Sequence, residues 1–136
     1  MAKKLITIVV PTIATAAGAV NGYGISPGGR LVKAIFSAVD ALAAHDTNYA
    51  TFALKNLGQA GAGTTDMLST TAANTTKITG GAALAANTKR ELTLHGTLAN
   101  RDTLEGDRLK FVATGAGTLD NTVTEGRLLL TFQRRS

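Results

Sequence analysis

The segment from Arg90 to Ala113 constrains the fold most, because each of its two halves alternates between apolar and polar residues. Leu92 and Leu94 fall on one face of the first half when the chain is extended. Leu109 and Phe111 fall on one face of the second half in the same way. Glycine, asparagine and aspartate are frequent between the halves and supply the conformations that reverse a chain. The pattern predicts two paired strands with one shared buried face.

Short apolar segments separated by turn residues recur along the rest of the chain. We predict strands at residues 5–10, 30–39, 49–57, 66–71, 75–79 and 122–134, and a short strand at 23–25 within a long loop over residues 14–29. Residues 40–46 are the best helix formers, but isolated helices below about 12 residues are marginal, so we expect a loop or one turn there. The chain is therefore predicted to be all-β, an antiparallel β-sandwich of about seven or eight strands with at most one short helix.

The length of 136 residues predicts one domain with one core. Within it, residues 1–28 are expected to form an N-terminal strand and an arm or loop, and residues 29–136 the sandwich. Aromatic residues make up only 4% of the chain, so the core must be built from Leu, Ile, Val and the four Phe. The absence of cysteine excludes disulfides, thiolate metal sites and cysteine nucleophiles.

Residues that could perform catalysis are scarce. His45 and His95 are the only imidazoles, which excludes a three-histidine metal site. His45 precedes Asp46, as in part of a triad, but the Gly-x-Ser-x-Gly elbow of a hydrolase is missing. The glycine-rich segment 58–63 lacks the Gly-Lys-Ser/Thr ending of a phosphate loop, and the aspartates lack calcium-loop spacing. The sequence predicts a protein that is not an enzyme and has no cofactor and no metal.

The net charge of +5 suits an acidic protein surface, nucleic acid or anionic headgroups as partner. The basic residues are scattered, with only three adjacent pairs, and few aromatic residues are left to stack on bases. Nucleic acid is therefore an unfavoured partner. It would require four basic side chains to converge on one face: Arg101, Arg108, Lys110 and Arg134.

The N-terminal segment imitates a secretory signal, since Lys3 and Lys4 precede an apolar run and small residues. Thr7, Pro11 and the β-branched residues of that run favour a strand instead, one with both faces covered. Asn74 begins a formal glycosylation motif that would matter only in a secreted eukaryotic chain. No apolar run approaches the roughly 20 residues of a membrane span, so no membrane association is expected.

Several segments together resemble a known family. They are Gly29–Val39, Ala50–Gly58, Leu92–Leu94, Leu104–Phe111 and Gly126–Phe132. In this combination they resemble the small jelly-roll head decoration proteins of tailed bacteriophages, over about residues 29–133. The Glu-Gly-Asp turn before the Leu-x-Phe strand also occurs in other phage sandwich modules, including fibre and tail domains, and in tumour-necrosis-factor-like trimers.

The resemblance implies a non-enzymatic structural protein of the virion. Such a protein is made in the host cytoplasm, forms a homotrimer, binds the major capsid protein on the outer surface of the head and stabilises the expanded shell. We place the capsid or intersubunit contact on the first strand, the arm after it, and two further side chains, although the first strand could equally be an ordinary sandwich strand. The candidate contact residues are Leu5, Ile6, Ile8, Val10, Pro11, Ile13, Tyr23 and Leu129.

Two alternatives stay open. A phage fibre or tail module that binds a receptor or carbohydrate would show an exposed aromatic cluster, for which Tyr23 and Tyr49 are the candidates. A basic nucleic-acid-binding protein would show the converged cations described above.

Overall fold

Nine strands form the fold of residues 2–134, the part of the chain that the structure, a computed structural model, describes. They are β1 (Lys3–Val10), β2 (Gly18–Ile25), β3 (Gly29–Ser37), β4 (Ala50–Gly58), β5 (Thr65–Asp66), β6 (Arg90–Glu91), β7 (Asp102–Thr103), β8 (Arg108–Gly115) and β9 (Gly126–Gln133). Two short 3-10 helices, Ala72–Asn74 and Leu98–Arg101, are the only helical segments in this part of the chain. None of them is long and apolar enough to cross a membrane.

The strands form two antiparallel sheets. The first sheet has the order β1-β9-β3-β6, with β7 also paired to β3, and the second sheet has the order β2-β8-β4-β5. The chain thus folds back on itself as one long hairpin, because β1 pairs with β9, β2 with β8, β3 with β6, and β4 with β5. A hairpin of this kind wrapped into two sheets is a jelly roll. The predicted all-β, jelly-roll-like sandwich is confirmed.

Three phenylalanines join the two sheets at the centre of the core. Phe36 comes from β3 in the first sheet, and Phe52 and Phe111 come from β4 and β8 in the second. Their ring centroids lie 5.1 to 6.1 Å apart and all three are buried. Such aromatic pairs contribute about 0.5–1.5 kcal/mol each beyond the burial of their area.

Residues 14–29 differ from the expected loop, because β2 begins at Gly18 and runs for eight residues. The inward-facing residues of this strand include Gly22 and Gly24, which leave room for β1. An ideal Cβ at Gly22 would lie 2.6 Å from the carbonyl oxygen of Val9 and 2.8 Å from a side-chain carbon of Ile8. The glycines that suggested a loop are therefore strand residues over which another backbone passes closely.

The predicted pairing within residues 90–113 is wrong. β6 pairs with β3 in the first sheet, whereas β8 pairs with β2 and β4 in the second. The predicted inward faces are confirmed, since Leu92, Leu109 and Phe111 are all buried. Alternation determines which side chains are buried, but it does not determine which strand is the neighbour.

Residues 66–79 contain less strand than predicted, because the side chain of Asn74 replaces backbone pairing there. Its amide nitrogen donates to the carbonyls of Ser69 and Thr93, and its oxygen accepts from the Thr93 amide, each at 2.8 Å. Asn74 is buried and its nitrogen is occupied, so the formal glycosylation motif is inaccessible in the folded chain. Residues 40–46 form a loop anchored by buried Leu42, which bridges to Leu84.

Candidate interaction surface

The outer face of the first sheet carries a set of neighbouring apolar and threonine side chains. Directly opposite residues of antiparallel strands point to the same face. The register places Leu129 between Thr7 and Ile35, and Thr131 beside Leu5. We define the apolar face by the following residues: Leu5, Thr7 and Val9 of β1, Leu129 and Thr131 of β9, and Ile35 of β3.

The apolar face is most exposed at β1, which is an edge strand of the sheet. Leu5 is 60% exposed and Val9 is 61% exposed. Leu129 and Ile35 are half-buried by their neighbours. Contiguous exposed apolar side chains rimmed by charge are typical of protein interaction sites.

The rim of the apolar face is mainly basic. Lys33 lies opposite Thr131, Arg127 lies opposite Val9, and Lys3 stands at the start of β1. The acidic residues in these rows are Glu91, opposite Ile35, and Asp102, which is ion-paired with Arg30 at 2.7 Å. A partner with an acidic rim around an apolar centre would complement this face in both respects.

The carboxylates of the chain are largely committed to internal contacts, because each of the six aspartates accepts a hydrogen bond or ion pair within the fold. These contacts join Asp40 to Thr124, Asp46 to Thr79, Asp66 to Lys55, Asp102 to Arg30, Asp107 to Asn56 and Asp120 to Ala43. The side-chain and backbone hydrogen bonds from Thr124 lower the pKa of Asp40 below its usual value. The aspartate side chains thus hold loops and strands of the fold together.

Four of the predicted contact residues lie in or against the core, and a fifth lies on the apolar face. Ile8, Val10 and Ile13 are buried, and the partly buried Ile6 packs against the core. Leu129 belongs to the apolar face, where it is half-buried. All four therefore stabilise the sandwich; Ile8, Val10 and Ile13 offer no free surface in this fold, and Ile6 stays partly accessible.

The other three predicted contact residues are exposed in different places. Leu5 lies on the apolar face, and Pro11 follows β1 at its end. Tyr23 is 64% exposed, but it lies on the outer face of the second sheet. The structure thus brings Leu5 and Leu129 together and separates Tyr23 from them.

Sequence reasoning missed Val9 and Ile35 as members of the apolar face. Residues 5, 7 and 9 of β1 share one face because strand side chains alternate, so the period of two indicated Val9 once Leu5 was chosen. Ile35 joins them only through the pairing of β3 with β9, which no local pattern reports.

His45 and Asp46 do not act on each other. The Nδ1 atom of His45 accepts from the backbone amides of Thr47 and Asn48 at 3.0 and 2.9 Å, whereas Asp46 accepts from Thr79. The dyad imagined from the sequence is therefore not formed. Within residues 2–134 no three His, Cys, Asp or Glu side chains are grouped to hold a metal ion.

The four basic side chains considered for nucleic acid lie in different places. Arg108 and Lys110 are both on the outer face of β8. Arg101 belongs to a 3-10 helix and its Nε atom is buried, and Arg134 follows β9 in the first sheet, where its amide bonds to Ala2.

The two tyrosines are also separate. Tyr49 lies just before β4 with the Lys77 ammonium 4.6 Å from its ring centroid. Tyr23 is on β2, at the edge of the second sheet. They do not make the aromatic cluster that a carbohydrate or receptor site would use.

Comparison of the chain with protein-family models, with curated proteins and with solved structures finds no match.

Proposed function

We propose that this protein is a non-enzymatic capsid decoration protein that binds the outer surface of a phage head through its apolar face. The observation that carries the proposal is the pair Leu5 and Val9, each about three-fifths exposed on an edge strand beside Leu129. Neighbouring exposed apolar side chains with a charged rim are a feature of protein interaction sites. The jelly-roll topology and the resembling segments support the same class of protein.

The basic rim of the apolar face suits an acidic shell. Lys3, Lys33 and Arg127 would meet carboxylates of the major capsid protein while the apolar centre excludes water. Charge complementarity of this kind favours the encounter and fixes orientation more than it adds affinity.

Trimerisation would make a modest single contact sufficient. A homotrimer that straddles neighbouring capsid subunits binds through several linked contacts, so its avidity exceeds the affinity of one. A ligand that binds only the expanded lattice stabilises that lattice by mass action. In this proposal the protein acts as a cement and performs no chemistry.

Co-sedimentation with phage heads tests the proposal. The purified protein is mixed with empty expanded heads and with unexpanded procapsids of the phage that encodes it, and its oligomeric state is measured by sedimentation equilibrium. We expect a trimer that pellets with the expanded heads. Co-sedimentation with neither particle would refute the cement function.

A matched pair of variants tests the surface. Leu5→Asp places a charge in the apolar face, and Ile78→Asp makes the same kind of change in a loop at similar exposure, 63% against 60%. Burial of an apolar side chain of this size contributes about 1.5–3 kcal/mol, so Leu5→Asp should weaken binding about tenfold or more. Ile78→Asp should bind normally, and equal binding by both variants would exclude the apolar face.

A further inference from the structure

His45 holds a bend of the chain over residues 46–48, just before β4. Its Nδ1 atom accepts hydrogen bonds from the backbone amides of Thr47 and Asn48, at 3.0 and 2.9 Å. A backbone amide can only donate, so Nδ1 carries a lone pair and no proton in this structure. The ring is therefore neutral, with its one proton on Nε2.

The bend joins two other loops at the same end of the sandwich. The backbone amide of His45 donates to the carbonyl of Thr76 at 3.0 Å. The side-chain oxygen of Asn48 accepts from the backbone amide of Thr118 at 3.1 Å. That oxygen lies where a Cβ atom of residue 117 would be, and the residue there is glycine. The loop over residues 117–120 thus depends on the position of Asn48, which His45 holds in turn.

The segments packed around His45 carry four charged side chains and one tyrosine: Asp40, Asp46, Lys77, Asp120 and Tyr49. Asp40 accepts from Thr124, and Asp46 accepts from Thr79. The Lys77 ammonium lies over the Tyr49 ring, 4.6 Å from its centroid. Asp120 shares a small cleft of about 70 Å³ with His45 and accepts the Ala43 amide at 3.2 Å. Asp120 is therefore the carboxylate that lines the same cleft as the imidazole.

Protonation of His45 is incompatible with the bend as it stands. Imidazole is the side chain that ordinarily changes charge between pH 5 and 8, and the His45 ring is exposed to solvent. A proton on Nδ1 would convert this acceptor into a donor that faces two amide donors, so both hydrogen bonds would be lost. The imidazolium would carry two N–H groups and a positive charge, for which the Asp120 carboxylate is a suitable acceptor. Each protonation state of the ring thus has its own partner.

We propose that His45 is a pH-dependent switch for the loops at this end of the sandwich. The neutral ring holds residues 46–48 and, through Asn48, the loop over residues 117–120. The protonated ring releases the Thr47 and Asn48 amides and pairs with Asp120. The switch does not depend on the cement function, because the apolar face lies on the outer surface of the first sheet and does not include His45.

Nuclear magnetic resonance of the full chain between pH 7.5 and pH 5 tests the switch. Nitrogen-15 spectra of the His45 ring should show the Nε2–H tautomer at pH 7.5. Exchange protection of the Thr47 and Asn48 amides, corrected for the intrinsic effect of pH, should fall about fivefold or more as His45 gains its proton. The Thr93 amide is the internal control, because the Asn74 side-chain oxygen holds it at 2.8 Å and does not titrate.

Two substitutions at His45 separate the acceptor from its titration. His45→Asn supplies a side-chain oxygen that accepts from the Thr47 amide, as in an Asx-turn, and that does not titrate. Protection at Thr47 should then no longer change between pH 7.5 and pH 5. His45→Ala supplies no acceptor, so protection should be low at both pH values, while circular dichroism shows a folded chain for both variants.

A second pair of variants tests the partner of the protonated ring. Asp120→Asn removes the carboxylate and should move the release of the Thr47 amide to lower pH. Asp66→Asn makes the same change at the ion pair with Lys55 in the second sheet and should leave the release unchanged. Release at the same pH in Asp120→Asn and in the unsubstituted chain would overturn the pairing with Asp120.

Three results would overturn the switch itself. They are an Nδ1–H tautomer at pH 7.5, unchanged protection of Thr47 and Asn48 while His45 titrates, and a pH-dependent release that persists in His45→Asn.

Discussion

One added methyl group at Gly22 tests the close packing of β1 on β2. The new Cβ would lie 2.6 Å from the carbonyl oxygen of Val9 and 2.8 Å from a side-chain carbon of Ile8. Favourable contacts between carbon atoms lie at about 3.5–4.0 Å, so both distances are far too short. The oxygen belongs to a strand held in register by β9, so it cannot move away alone.

The expected cost combines two effects of opposite sign. Overfilling a packed site costs about 1–3 kcal/mol. A glycine-to-alanine change without strain stabilises by about 0.4–1 kcal/mol through the unfolded chain. The difference spans about 0–2.6 kcal/mol. Because the new Cβ would lie below 3.0 Å from a backbone oxygen, we expect the upper half of that range, so Gly22→Ala should lower the free energy of unfolding by about 1.3–2.6 kcal/mol and Tm by roughly 4–9 °C.

Gly96→Ala is the matched control, because no heavy atom lies within 4 Å of an ideal Cβ there and its backbone is outside the left-handed region. It should leave stability unchanged or slightly raised. Urea unfolding followed by circular dichroism measures both variants, and the slope m shows whether the folded states remain comparable. Equal stability of Gly22→Ala and Gly96→Ala would refute the close approach of β1 to β2.

Two further predictions concern buried polar groups. Asn74→Ala removes three hydrogen bonds to backbone groups, so it should lower the free energy of unfolding by about 1–3 kcal/mol. Urea unfolding measures this change, and an unchanged midpoint would contradict the role of Asn74 in joining these segments. Burial raises the pKa of Asp107, but hydrogen bonds from the Leu104 amide, Asn56 and Gln59 outweigh it, so the pKa lies below its ordinary value. The ionised Asp107 therefore stabilises the folded chain above the unfolded pKa of about 3.9. This stabilisation is lost as the pH falls through the lower folded pKa. Asp107→Asn should therefore reduce the loss of stability on acidification below about pH 4. An unchanged pH profile would contradict the predicted linkage.

The sequence determined which side chains face the core more reliably than which strands are neighbours. Leu109 and Phe111 were assigned inward from alternation alone and are buried. The pairing of β6 with β3 joins residues far apart in the chain, and the local pattern of either strand is equally compatible with several partners. The predicted strand at 23–25 is part of β2, but residues 18–22 are strand where a loop is expected, because glycine lowers strand propensity and here admits another backbone.

The candidate site was predictable only in part, for a related reason. The continuous apolar run at 5–10 predicted a strand with both faces covered. Within residues 2–134 only the face with Ile8 and Val10 is covered, and Leu5 and Val9 remain exposed. The contribution of Ile35 required the register of three strands.

Hydroxyl-radical footprinting of the protein bound to expanded heads tests the central proposal most directly. Leu5 and Val9 are exposed in the free chain and should lose labelling on binding, while Ile78, equally exposed in a loop, should keep it. Unchanged labelling at Leu5 and Val9 in the head-bound protein would contradict the assignment of the apolar face as the surface that binds the shell.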